Sequence, residues 1–70
     1  MAWYHILSKR ALEERHALTA RLDPAFAAAS RAFWEARTAI ELSTIAAGAW
    51  YANDSDTYQL ARSYLALKAS

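Results

Sequence analysis

The sequence predicts an all-α fold: an antiparallel helical hairpin with a shorter third helix, assembling as a dimeric helical bundle. Three observations carry this reading. The 70 residues include one glycine and one proline, leaving little material for the turns that a strand-rich chain needs. Two places carry adjacent turn and cap formers, Asp23-Pro24 and Asn53-Asp54-Ser55-Asp56. Between those places Phe26, Phe33, Ile40 and Ala47 recur at seven-residue spacing, which keeps them on one helix face.

The first helix is predicted over about residues 2 to 21, where Tyr4, Leu7, Ala11 and Leu18 share a face that runs on to Leu22. Asp23 ends it and caps the next, because its carboxylate accepts an otherwise orphaned amide hydrogen bond. Pro24 suits the first helical position, where its missing N–H costs nothing. A connection this short doubles the chain back into a hairpin or kinks one continuous helix.

The second helix is predicted over about residues 24 to 52. At 1.5 Å per residue it reaches about 42 Å, longer than the small domain such a chain builds alone, and the excess asks for a partner. Large and small residues alternate along it: Phe26, Ala29, Phe33, Ala36, Ile40, Ser43, Ala47 and Trp50. Small residues let helices approach while the larger ones fill holes on the facing helix. Phe26, Phe33, Ala36, Ile40 and Ala47 therefore form the expected seam of a homodimer. A purely intramolecular core is the competing reading, but Trp34 and Ile45 project away from this line, so one neighbour does not bury all the apolar groups.

The third helix is predicted over about residues 56 to 69, capped by Ser55 or Asp54. Asp56 near its start and Lys68 near its end suit the helix dipole. Its apolar residues form two lines, Tyr58, Ala61 and Leu65 against Leu60, Tyr64 and Leu67, more than one hairpin partner covers.

Residues 1 to 70 make one domain with a thin core. Cysteine is absent, which removes disulfide and thiolate chemistry. Eight Lys and Arg balance seven Asp and Glu, so the formal charge of +1 recruits nothing by sign alone. His5, Lys9, Arg10, Glu13 and Glu14 break up the opening, which is unlike a secretory leader. The uncharged run from Leu42 to Asn53 is too short to span a bilayer. A cytoplasmic protein is expected, with no membrane association.

Catalytic constellations are weak. Glu13 and His16 stand three apart and share a helix face, but a metal-binding bundle needs such pairs repeated with further carboxylates pointing inward. No metal, cofactor or catalytic residue is expected, since the serines lack a recognisable Ser-His-acid pattern. Lys9, Arg10, Arg15, Arg21, Arg31 and Arg37 are spread over two helices and diluted by Glu13, Glu14, Glu35 and Glu41. Nucleic acid is therefore not the expected partner, and a small DNA-binding regulator is an alternative.

The residues that suggest recognition are aromatic. Trp3-Tyr4 and Trp50-Tyr51 meet at one end of an antiparallel hairpin, with Tyr58 beside them and Tyr64 on the third helix. Rigid aromatic rings supply interface area with little ordering of side chains. The sequence thus predicts a non-enzymatic adaptor, regulator or inhibitor that occupies a partner protein's surface. A self-associating structural subunit is the nearest competitor.

Overall fold

The structure, a computed structural model, describes residues 6–69 and is a four-helix bundle, not the expected three-helix chain. Its helices are α1 (Lys9–Leu22), α2 (Pro24–Ala36), α3 (Ala39–Tyr51) and α4 (Ser55–Ala69). They form two helical hairpins, α1 with α2 and α3 with α4. α4 also touches α1 and α2, while the backbone of α3 approaches no other helix than α4.

The correction lies at Arg37-Thr38, where the helix expected over residues 24 to 52 is interrupted. Both residues are extended, with ψ of 139° and 165°. The Thr38 hydroxyl accepts from the Glu41 amide at 3.1 Å, and the Glu41 carboxylate accepts from the Thr38 amide at 2.8 Å. This reciprocal capping box satisfies donors that a helix start leaves orphaned, so a new helix begins where an old one was expected to continue. The described residues fit within 30 × 27 × 21 Å, so no rod of about 42 Å overhangs the bundle to call for a partner.

The first helix is also shorter than expected. Ser8 caps α1, accepting from the Ala11 amide at 3.1 Å, so residues 6 to 8 precede the helix. The Asp23-Pro24 junction is a turn rather than a kink: the Asp23 carboxylate accepts from the Phe26 amide at 3.0 Å, and Pro24 opens α2. Ser55 begins α4, and the Asp54 carboxylate accepts from the Thr57 amide at 3.2 Å. Asn53 turns the chain between them at φ 60°, a left-handed conformation that asparagine tolerates better than most residues.

The core joins the two hairpins. Leu12 of α1, Trp34 of α2, Leu42 and Ala46 of α3, and Ala61 and Tyr64 of α4 are buried together, with Leu7, Ile45, Leu60, Leu65 and Leu67 packed around them. Trp34 and Tyr64 stack with centroids 6.0 Å apart and planes 9° from parallel. Ser63 is buried yet satisfied: its hydroxyl donates to the Gln59 carbonyl at 2.6 Å and accepts from the Leu7 amide at 2.8 Å. That bond fastens the segment before α1 to α4.

Candidate functional site

Helix α3 is the unusual element. Among its 13 residues Glu41 is the one acidic or basic side chain, with no Asp, Lys, Arg or His, and Glu41 is held in the capping box, which keeps its carboxyl below the usual carboxylate range. A helix this apolar all round is ordinarily enclosed by neighbours. Here α4 is the one described helix whose backbone approaches it; Leu42, Ala46 and Ala49 are buried, and among the described residues the opposite side is exposed. Ile40 is 80% exposed and Tyr51 is 89% exposed.

The expected aromatic end is present in part. The rings of Trp50 and Tyr58 meet at 5.3 Å between centroids, tilted by 53°, and Tyr51 stands beside them almost wholly in solvent. Trp3 and Tyr4, assigned to the same end, lie outside the described residues. Tyr64 is elsewhere. Only 6% exposed, it stacks its ring on Trp34 and shares a hydrogen bond between its hydroxyl and His16.

The expected seam is divided. Phe26, Phe33 and Ala36 lie on α2 and Ile40 and Ala47 on α3, so the break at Arg37-Thr38 prevents them from forming one straight line. All five are exposed, while Ala27 and Trp34 take the inward positions of α2. The Phe33 ring meets Trp34 edge-on at 5.2 Å and carries the Arg37 guanidinium 4.5 Å above it. Leu18, Leu22 and Phe26 add exposed apolar area around the α1–α2 turn.

His16 occupies the other distinctive place. It lines a groove of about 400 Å³ between α1 and α2 with Glu13, Ala17, Ala20, Pro24, Ala27, Ala28 and Arg31. One ring nitrogen, Nε2, shares a hydrogen bond with the Tyr64 hydroxyl. Glu13 lines the same groove, but no group of three or more His, Cys, Asp or Glu among the described residues is placed to hold a metal ion. The Arg31 and Glu35 side chains pair across one helical turn at 3.1 Å. Arg10 with Glu14 and Arg37 with Glu41 repeat that four-residue spacing, the second pair across the α2–α3 break, so three of the candidate phosphate-binding arginines have a carboxylate partner.

The His16 environment has a consequence for acid stability. Burial, then the nearby Arg31 charge, holds its pKa below 6.5, so on acidification the unfolded chain takes up this proton before the folded one does. The contribution is intact at neutral pH, declines as pH falls through about 6.5, and levels off once the folded histidine also protonates. Urea unfolding between pH 7.5 and 5 should show this decline, and His16→Gln should flatten it. Equal slopes for the two proteins would show that the histidine makes no contribution.

Burial likewise raises the Tyr64 hydroxyl above its ordinary pKa, keeping it protonated as a hydrogen-bond partner for His16. No described helix is long and apolar enough to cross a membrane. The chain matches no known protein family, and neither curated proteins nor solved structures provide a match.

Proposed function

We propose that the protein is a small non-enzymatic adaptor, regulator or inhibitor that works in the cytoplasm by occupying a surface of a partner protein, and that it also associates with itself. The observation that supports this reading most is the apolarity of α3, whose exposed side suits self-association and whose C-terminal end carries Trp50 and Tyr51 beside Tyr58. An apolar helix covered on one side gains by burying the other, and clustered aromatics are the residues from which interface hot spots are most often built. Binding makes or breaks no bond in this reading. The partner's function changes because part of its surface is covered.

The test is affinity capture of the partner from the native host, followed by titration with the identified protein. Trp50→Ala, checked for retained helicity, should weaken the complex by about 30-fold or more if the tryptophan is a hot spot. Undiminished affinity in the folded variant would move the contact away from the aromatic end. A parallel titration with duplex and single-stranded nucleic acid separates the competing role, because phosphate-driven binding falls steeply with salt. Sequence-selective nucleic-acid binding at physiological salt, lost on Arg31→Ala, would replace the proposed function with the DNA-binding one.

A further inference from the structure

We infer that the open side of α3 is the self-association seam, and that it takes a second copy of this chain in antiparallel orientation. This deepens the self-association part of the proposed function and rests on it. The stripe consists of Ile40, Thr44, Ala47 and Tyr51, at the four- and three-residue steps that keep side chains on one helix face. All four are exposed, and none is an Asp, Glu, Lys, Arg or His. Thr44 turns its hydroxyl back to the Ile40 carbonyl at 3.0 Å, so its polar atom is already satisfied when the face loses water.

The order of sizes identifies the occupant. Read along the helix the stripe runs large, small, small, large, and it reads the same when reversed. An isologous contact needs such self-complementarity, since each copy offers one patch to its own image. With the two-fold axis midway between Thr44 and Ala47, Ile40 of each copy faces Tyr51 of the other. The central small residues let the backbones approach, and the large ones close both ends.

Charge selects the orientation. Arg37 and Glu41 pair at 3.6 Å at the start of α3 and balance in charge, and Asp54 and Asp56 lie just beyond its end. Antiparallel pairing brings the acidic end of one copy to the charge-balanced Arg37–Glu41 end of the other and opposes the helix dipoles favourably. Parallel pairing places Asp54 and Asp56 against their own copies.

The absence of cysteine makes single-site labelling clean. Sedimentation equilibrium of the full chain should show a monomer–dimer equilibrium in the micromolar range, and Ala47→Arg should weaken it at least about tenfold while leaving helicity unchanged. Spin labels at Ala39→Cys and Ala52→Cys then report the orientation. In the antiparallel dimer the mixed pair, one label of each kind, is the short distance. Like pairs lie about 20 Å apart along the helix axes.

The outcomes separate the two levels of the inference. A chain that stays monomeric into the high micromolar range overturns self-association altogether. A dimer indifferent to Ala47→Arg, or one in which like labels lie closer than mixed ones, overturns the antiparallel α3 seam and leaves self-association through another face.

Discussion

Trp34→Ala is expected to cost about 3–5 kcal/mol, the ordinary range for removing a buried aromatic ring from a core. The ring is buried, stacks on Tyr64 and meets Phe33 edge-on, so its loss opens a cavity where α2 leans on α4. A 70-residue chain has a total stability on the order of 4–10 kcal/mol, so the variant should be partly or wholly unfolded at room temperature. Circular dichroism during urea titration measures this directly. A loss below about 1 kcal/mol would show that the two hairpins do not depend on this ring for their contact.

The second large effect comes from two neighbouring positions on α3. Leu42 has no exposed surface and Ile40 is 80% exposed, although both are large aliphatic residues. Leu42→Ala should destabilise the monomer by about 2–5 kcal/mol, whereas Ile40→Ala should change it by no more than about 0.5 kcal/mol. Ile40→Ala should instead weaken the dimer at concentrations where one forms. Similar losses at both sites in the dilute monomer would mean that α3 is rotated relative to the described packing.

Those two residues also show what was legible in the sequence. The all-α class, the turn at Asp23-Pro24 and the cap at Asp54-Ser55 follow from local chemistry, and the structure contains them. The break at Arg37-Thr38 was equally local. Thr38 followed three residues later by Glu41 has the spacing of a capping box, but the seven-residue repeat through Phe33 and Ile40 pointed to a single helix.

The choice of buried face was not local. Phe26 and Phe33 compete with Ala27 and Trp34 for the inward side of α2, and periodicity alone supports either set. The structure seats Trp34 against Tyr64, a pairing across 30 residues that helical spacing within either segment does not reveal. His16 and Tyr64 are similarly remote, and no short motif marks their hydrogen bond. The open side of α3 was visible as excess apolarity, while the neighbour covering its other side depended on the tertiary arrangement.

The interruption at Thr38 also bears on how the chain reaches this state. It converts one long rod into two hairpins whose main contacts join helices adjacent in sequence, so little loop entropy is lost before the first contacts form. Each hairpin is able to collect its own turn and capping bonds before meeting the other, and topologies of this kind fold in about microseconds to milliseconds. The α3–α4 pair contains most of the buried residues, so we expect nucleation there, with α1–α2 docking onto α4 afterwards. The hydrogen bond from the Leu7 amide to Ser63, 56 residues away, spans nearly the whole described chain and acts as the latch on that final docking.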